Sequence, residues 1–288
     1  MRIAIIILNY NSSDDCRKCV SFLKRQEGVE LELVLVDNCS PDSDKVKTLC
    51  EEEGCTFIAS KENRGYNAGN NIGLRYVASK GYKYALIANP DMEFPQTDYI
   101  KKLVSIMERN HEIVVLGSDI VTPEGIHQNP KYRGEQDWRK SFSWLSDLFC
   151  RQKREEKTPV WVVNPQASQY CKCLNGCCFL ISIPFVQQLN FFDEETFLYG
   201  EEPILGRQVE LAGKQMFYTP ETFAVHHHLK SKEGSRAFCF KHWKHSQLLY
   251  VRKYSGLSRF GKWVSYLSIH CYFTTLKIYH WLYSKKNK

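Results

Sequence analysis

The chain has 288 residues, of which 43% are hydrophobic, and a formal net charge of +7. A chain of this length and composition can bury a full hydrophobic core, which argues against an intrinsically disordered protein and favours one large domain with or without an extension. The positive charge is concentrated in residues 229–288, which contain thirteen Lys and Arg and one acidic residue, whereas the preceding part is mildly acidic.

The chain contains twelve cysteines, but they do not indicate a disulfide scaffold. Such scaffolds are typical of short secreted proteins, and the apolar run after the first two residues is too short for the core of a signal peptide. We therefore expect a reducing, cytoplasmic location. The densest cluster lacks the paired C-x-x-C spacing of a structural zinc site, so buried thiols are expected at Cys171, Cys173, Cys177 and Cys178.

The first half of the chain alternates apolar runs with amphipathic segments. Strands are predicted in "RIAIIILNYN", "ELVLVDNCSPDS", "CTFIAS", "KYALIANPD" and "IVVLGSDIV". The segments between them predict a helix capped by Ser13 or Asp14, a charged helix through Glu53, a helix closed by Gly81, and a helix over about 97–109. This alternation predicts an α/β fold with a mostly parallel central sheet flanked by helices.

The second half is less regular. Residues 127–160 are charged and aromatic with little periodicity, which predicts an exposed loop or insertion. An acidic segment containing Glu201 and Glu202 follows, and the strand "FYTPETFAV" then leads into three histidines, 226–228. Neighbouring residues of a strand point to opposite faces, so at most two of these histidines could reach one metal ion.

Polar residues follow each of the first four predicted strands, and such strand ends are where open α/β sheets bind ligands. Asp37 could accept a hydrogen bond from a pyrimidine base. The glycine-rich segment 63–73 could approach a phosphate at a helix N-terminus, although glycines there more often serve packing. Asp91 is either a turn residue or a ligand of Mg²⁺ or Mn²⁺. Glu201 and Glu202 either complement the dipole of a helix or include a general base.

The order of these segments resembles inverting family 2 glycosyltransferases of the GT-A fold, particularly the rhamnosyltransferase-like branch. The resemblance runs from residue 2 to about 255 and rests on "ILNYNS", "VDNCSPD", "NRGYNAGNNIGL", "NPDMEF", "LNGCCFLI", "FDEETFLYGEE" and "VHHHLKS". It implies transfer of a sugar from dTDP-rhamnose or a UDP-sugar to a hydroxyl of a glycan or lipid-linked acceptor in cell-surface polysaccharide synthesis.

The resemblance also implies roles for individual residues. Glu202 would be the catalytic base, with Glu201 in reserve, and Asp91 and His226 would hold Mg²⁺ or Mn²⁺. The nucleotide diphosphate sugar donor would contact Tyr10, Asp37, Gly65, Asn71 and Asn89.

Two departures from the family pattern leave alternatives open. The usual Glu-Asp pair is Glu201-Glu202, and the later acidic and Arg positions hold Ile204 and Gln208. The first Asp of the D-x-D motif is Asn89, so fewer carboxylates would hold the metal. A nucleotide-binding relative without catalysis is therefore the alternative to an enzyme.

The C-terminal region predicts an aromatic, basic helix. Its uncharged stretch, residues 263–276, is shorter than the roughly 20 residues of a spanning helix. Trp, Tyr and basic residues instead favour the interface of an anionic membrane, which would place the protein on the inner face of the cell membrane. The alternatives are packing on the domain, packing on a second copy in a homodimer, and binding of nucleic acid by the basic tail.

These observations predict a division of the chain into a GT-A domain and an extension. The domain would cover residues 1–228, with a nucleotide-binding half over about 1–125 and an acceptor half over about 160–228. Residues 229–288 would form the basic, aromatic helical extension.

Overall fold

The computed structural model describes residues 2–134, 137–145, 162–227 and 236–286, with side chains for all of these except residue 236 and residues 280–286. The described residues alternate strands and helices through the first half of the chain and end in two long helices. The strands are β1 (Arg2–Asn9), β2 (Glu30–Asp37), β3 (Thr56–Ala59), β4 (Tyr84–Ala88), β5 (Met92–Glu93), β6 (Ile113–Val121), β7 (Gln169–Cys171), β8 (Cys178–Ser182) and β9 (Gln215–His226). The helices are α1 (Ser13–Leu23), α2 (Ser43–Glu53), α3 (Tyr66–Ser79), α4 (Tyr99–Arg109), α5 (Ile183–Gln188), α6 (Glu201–Leu211), α7 (Arg236–Lys253) and α8 (Arg259–Lys286).

The first four strands form the parallel half of the sheet, in the order β3-β2-β1-β4. Strand β1 shows why they are continuously apolar. Ile3, Ile5 and Ile7 pack into the hydrophobic core on one face of the sheet. Ala4 and Ile6 pack into the core on the other face. The predicted parallel strands covered on both faces are therefore confirmed for this half.

The other half of the sheet is mixed. Strand β8 lies antiparallel between β4 and β6, β6 and β9 are parallel, and β5 and β7 each pair antiparallel with β9. The whole is a mixed sheet flanked by helices. The strand-helix alternation from which we predicted a mostly parallel sheet stops after β6, and β8 re-enters the sheet in the opposite direction.

Glycines allow α3 to lie close to β1. A Cβ atom at Gly69 would lie 2.5 Å from Cδ1 of Leu8, and one at Gly73 would lie 2.6 Å from Cγ2 of Ile6. Any larger residue would push the helix away from the sheet. After the end of this helix, Gly81 adopts a positive φ of 74°, as the sequence predicted.

The start of α1 differs from the prediction that Ser13 or Asp14 caps it. The N-cap residue is Ser12, and its side chain makes no capping hydrogen bond. The Asp42 carboxylate, from the turn after β2, accepts a hydrogen bond from the Ser13 amide at 2.9 Å. A carboxylate from a separate turn therefore satisfies a free amide of the helix and complements its dipole.

The interpretation of residues 127–160 as an exposed loop is wrong for their first part. Gln128 and Asn129 are buried, and the side-chain Nδ2 of Asn129 donates to the Ser118 carbonyl oxygen at 2.9 Å. Lys131 pairs with Val162 in an isolated antiparallel β-bridge. Residues 135–136 and 146–160 lie outside the described residues.

The two C-terminal helices pack against the body of the protein. Phe197, in the segment before α6, stacks on His242 of α7 with ring centroids 4.4 Å apart. After α7, the Tyr254 hydroxyl donates to Asp193 at 2.6 Å. Among the described residues, none of the helices combines the length and hydropathy needed to cross a bilayer.

Candidate functional site

The turn after β2 lies beside the end of β1, as expected for neighbouring parallel strands. Asp37 accepts hydrogen bonds from the Asn9 side chain at 2.8 Å and from the Ser40 amide at 3.0 Å. Asp37 is fully buried, so in this arrangement its carboxylate stabilises the turn and is not presented to a ligand. Its role in base recognition stays a prediction that requires the turn to rearrange. Tyr10, in contrast, is 42% exposed beside this turn.

Gly65 and Asn71 hold α3 against the segment that precedes α6. A Cβ atom on Gly65 would lie 2.2 Å from the carbonyl oxygen of Phe197. Asn71 is fully buried, and its side chain donates to the Phe192 oxygen and accepts from the Phe192 amide, both at 2.9 Å. In this arrangement both residues make packing contacts, and their contact with the nucleotide stays a prediction. The packing alternative for the glycine-rich segment fits better.

Asp91 and His226 meet at the edge of the sheet. Asp91 follows β4, and His226 ends β9, which pairs with β5 through His226 and Met92. The Nε2 atom of His226 lies 3.4 Å from Oδ2 of Asp91. His226 is buried, whereas the next residue, His227, points to the other side and lies 2.9 Å from Glu93. The two histidines therefore alternate as predicted, and His228 lies outside the described residues.

Gln128 orients the His226 ring. Its Oε1 atom lies 2.9 Å from Nδ1 of His226 and accepts a second hydrogen bond from the side-chain Nδ2 of Asn175 at 3.2 Å. Because Oε1 of Gln128 can only accept a hydrogen bond, Nδ1 of His226 donates in this contact, and Nε2 faces Asp91. An imidazole nitrogen and a carboxylate oxygen thus converge, with a buried amide fixing the ring as is typical around metal ligands.

Glu202 is held at the first turn of α6. Its Oε1 atom accepts hydrogen bonds from Nζ of Lys131 at 2.7 Å and from the Gly176 amide at 2.8 Å. Burial lowers the pKa of Lys131, but the adjacent Glu202 carboxylate outweighs that effect and keeps the pKa above its ordinary value. Lys131 therefore remains protonated and forms an ion pair with the carboxylate of Glu202. This arrangement fixes one oxygen of the carboxylate and the direction of the other.

Glu201 has a different environment from its neighbour. Its Oε2 atom is buried and has no hydrogen-bond partner among the described residues. It lines a cavity of about 20 Å³ together with the apolar side chains of Phe179 and Phe192. Burial, with a smaller contribution from Glu202, raises the pKa of Glu201 to about 7. Burial therefore favours the neutral form of Glu201.

The loop over residues 174–178 connects the acidic pair to Asp91 and His226. Asn175 bonds Gln128, which orients His226, and the next residue, Gly176, donates to Glu202. The Cys177 carbonyl oxygen accepts from the amide of Asn89 at 2.8 Å. A short chain of hydrogen bonds thus links the predicted base to the predicted metal ligands.

The comparisons with known proteins agree with this architecture. Residues 4–170, more than half of the chain, match the model of the family "Glycosyl transferase family 2". The chain belongs to glycosyl transferase family 2. The fold of this family 2 chain resembles a mannosyltransferase from Pyrobaculum calidifontis solved with GDP-Man and Mn²⁺ (TM-score 0.59, 16% identity, 94% of this chain and 69% of that one). It also resembles GalNAc-T7 solved with UDP, GalNAc and Mn²⁺ (TM-score 0.60, 16% identity, 93% and 54%). At these identities the likeness shows the fold, which is GT-A-like.

Several relatives of this family 2 chain are named as enzymes of glycan synthesis. The hexosyltransferase Agl10 of low-salt glycan biosynthesis in Haloferax volcanii is 30% identical over 201 residues, which cover 69% of this chain but only 59% of Agl10. The rhamnosyltransferase WbbL of Escherichia coli is 25% identical over 246 residues (81% of this chain, 87% of WbbL). The N-acetylglucosaminyl-diphospho-decaprenol L-rhamnosyltransferase of Mycobacterium tuberculosis is 21% identical over 275 residues (88% and 85%).

Sequence reasoning missed three residues of this family 2 site. Gln128, Lys131 and Asn175 orient or hold the predicted functional side chains, yet none was singled out. Gln128 and Lys131 lie in the segment interpreted as an exposed loop, and no local pattern marks them. Their contacts join positions about 50 to 100 residues apart in the chain, which only the folded structure brings together.

Glu201 makes the stability of the protein depend on pH. A carboxyl group whose pKa is raised from 4.5 in the unfolded chain to about 7 in the fold destabilises the fold as pH rises through that interval. We expect Glu201→Gln to match the wild type in free energy of unfolding near pH 4 and to exceed it by up to roughly 3 kcal/mol at pH 8. Urea unfolding at both pH values measures this difference. A constant difference between variant and wild type would contradict the burial of a neutral Glu201.

Proposed function

We propose that this chain transfers a sugar from a nucleoside diphosphate donor to an acceptor hydroxyl with inversion at the anomeric carbon. The observation that carries the proposal is the position of Glu202, which is linked through the 174–178 loop to the Asp91–His226 pair. An acidic residue near a paired carboxylate and imidazole suits a reaction that takes a proton from one substrate and releases an anionic diphosphate from the other.

Glu202 is proposed as the general base. Its Oε2 atom would accept the proton of the acceptor hydroxyl as the hydroxyl oxygen bonds to the anomeric carbon. The bond between that carbon and the phosphate oxygen breaks on the opposite face, and its electron pair leaves with the nucleoside diphosphate. Lys131 and the Gly176 amide hold Oε1, which supports this role because a positioned base requires a fixed carboxylate. The alternative base, Glu201, faces an apolar cavity.

Asp91 and His226 are proposed to hold Mg²⁺ or Mn²⁺. Their oxygen and nitrogen atoms converge at 3.4 Å, with Gln128 occupying the other ring nitrogen. The described residues contain no group of three or more His, Cys, Asp and Glu placed to share an ion. Two protein ligands fit these ions, which take their remaining ligands from phosphates and water. When bound, the ion would neutralise charge on the departing diphosphate and orient it.

The names of the relatives support a class of donor sugar. A rhamnosyl or other hexosyl donor agrees with these names, and we propose dTDP or UDP as its carrier. One relative is named for an acceptor sugar on a lipid diphosphate, which supports a glycan or lipid-linked glycan acceptor in polysaccharide synthesis. We place the division between nucleotide and acceptor halves near residue 125, and the donor beside Tyr10 and Asn89.

Thermal unfolding with nucleotides tests the donor site. The protein is heated with UDP, dTDP, GDP or CMP, each with and without Mn²⁺. We expect one pyrimidine diphosphate to stabilise the protein in the presence of Mn²⁺, by about 2.7 kcal/mol at a hundredfold excess over the dissociation constant. Asp91→Asn, which preserves size, should lose the metal-dependent part.

Each result of the nucleotide experiment has a defined meaning. Absence of stabilisation by any of the four nucleotides would contradict the donor site. Stabilisation without turnover of any activated sugar would favour a nucleotide-binding protein without catalysis. Stabilisation that is unchanged in Asp91→Asn would remove Asp91 from the metal site.

A further inference from the structure

The last helix, α8, exposes a row of large apolar side chains. Between 44% and 61% of the surface of each of these side chains is accessible to solvent. The first three are spaced three and four residues apart, so they lie on one side of the helix, and the fourth returns to that side about three turns later. The row consists of Phe260, Trp263, Leu267 and Ile278.

The opposite side of α8 is already occupied by the body of the protein. Phe273 and Ser265 are buried, and Ser268 accepts a hydrogen bond from the Trp144 indole at 2.9 Å. Gly261 lies against Trp138, because a Cβ atom there would be 3.0 Å from that ring. These contacts fix the rotation of the helix about its own axis. The exposed row therefore faces away from the body, because the other side of the helix is the one that packs on it.

The charge around the row has a single sign. Residues 236–288 contain eleven Lys and Arg and no acidic residue. Arg259 and Lys277 are exposed at positions adjoining the row. An apolar row bordered only by positive charge is complementary to a surface that is apolar below and anionic above.

We propose that α8 lies in the plane of an anionic membrane surface, with the row of Phe260, Trp263, Leu267 and Ile278 inserted at the level of the lipid headgroups. Aromatic side chains favour that zone, and Lys and Arg are attracted by anionic lipids. Symmetric contact with a second copy would bring the positive charges that border the two rows close together. Nucleic acid would be attracted by the charge but would leave the aliphatic side chains exposed.

The position of α8 gives this surface a connection to the proposed site. Helix α8 packs on α7, where Trp243 contacts Phe273 with ring centroids 5.1 Å apart. Helix α7 in turn packs on the segment that leads into Glu202, through Phe197 and His242. Membrane contact would therefore hold the site at a fixed orientation to the bilayer. This consequence rests on the proposed function with a lipid-linked acceptor, whereas membrane binding itself does not.

Vesicle flotation of the full chain tests the proposal. We expect binding to phosphatidylcholine vesicles that contain phosphatidylglycerol, weak binding to pure phosphatidylcholine, and weakening of the former by salt. Trp263→Gln combined with Leu267→Gln should weaken binding by about tenfold or more. Arg259→Gln combined with Lys277→Gln should weaken it by about thirtyfold at low salt.

A matched control removes the same types of side chain elsewhere. Tyr132→Gln combined with Leu211→Gln deletes one exposed aromatic and one exposed leucine outside the C-terminal helices, and it should leave vesicle binding unchanged. Glu202→Gln should also bind vesicles normally, which separates failure of membrane binding from failure of the proposed catalysis. Circular dichroism and thermal unfolding establish that each variant is folded.

Several outcomes would overturn the proposal. Equal binding of the Trp263/Leu267 variant and the wild type would remove the row from the interaction. A dimer that forms without lipid, as measured by sedimentation, and is lost in this variant would assign the row to a second copy. Binding of RNA or DNA without binding to anionic vesicles would assign the basic surface to nucleic acid.

Discussion

Replacing Glu202 with glutamine is expected to lower kcat for sugar transfer by a factor of about 10²–10⁴, the range over which a positioned general base contributes. Glutamine keeps the size of the side chain and can still accept a hydrogen bond from the Gly176 amide, but it cannot take a proton from an acceptor hydroxyl. The rate of nucleoside diphosphate release in the presence of acceptor measures the effect. Stabilisation by the nucleotide should persist, because the change leaves the donor side of the site intact.

Glu201→Gln is the matched control for this prediction. It makes the same chemical change one residue earlier, and it mimics the neutral state that burial favours for Glu201. We expect this variant to retain most of its activity at pH 7. The reverse pattern, with activity lost in Glu201→Gln and kept in Glu202→Gln, would show that Glu201 is the base. Equal, small effects from both would argue against a carboxylate base in this segment.

Gly65→Ala is expected to destabilise the fold by roughly 3–5 kcal/mol, since two costs combine. The residue has a φ of +92°, which a side chain tolerates poorly. The new Cβ atom would also lie 2.2 Å from the backbone oxygen of Phe197, so either α3 or the segment before α6 must move. The free energy of unfolding in urea measures the change, as long as the transition remains two-state.

Gly54→Ala separates these two costs. Gly54 has a φ of +66°, but a Cβ atom there would have no neighbour within 4 Å. Only the backbone strain should apply, at about 1–2 kcal/mol. If Gly65→Ala instead unfolds like Gly54→Ala and binds nucleotide more weakly, then Gly65 contacts the donor and the packing interpretation is wrong.

The fold could be predicted from the sequence where contacts are local or regular. Apolar runs such as residues 3–7 are buried on both faces of the sheet. A continuous apolar run of this kind therefore indicates a central strand. The direction of β8 could not be predicted in the same way. A strand that returns between β4 and β6 has the same alternation of residues in either orientation, and the hydrogen-bonding pattern that distinguishes them exists only after pairing.

The candidate site shows the same limit at the level of single residues. The resemblance to the family brought Asp91, His226 and Glu202 forward, and the fold brings the first two within 3.4 Å of each other. The resemblance did not reveal that Asp37 and Asn71 are fully buried. A polar residue in a strand-end turn has the same appearance in sequence whether it faces a ligand or satisfies buried backbone groups, and which of these it does depends on the tertiary contacts around it.

The attachment of α7 to the segment before α6 bears on how this chain could be recombined with its relatives. The Asp193 carboxylate accepts hydrogen bonds from Lys253 and Tyr254, and the Nε2 atom of His245 lies 3.1 Å from the Glu195 carbonyl oxygen. A chimaera joined after the histidine triplet would pair the acidic segment of one parent with the helices of another and mismatch these contacts. Exchange of residues 193–254 as a block would preserve them, and the exchanged unit would then include the acidic pair together with the helix that supports it.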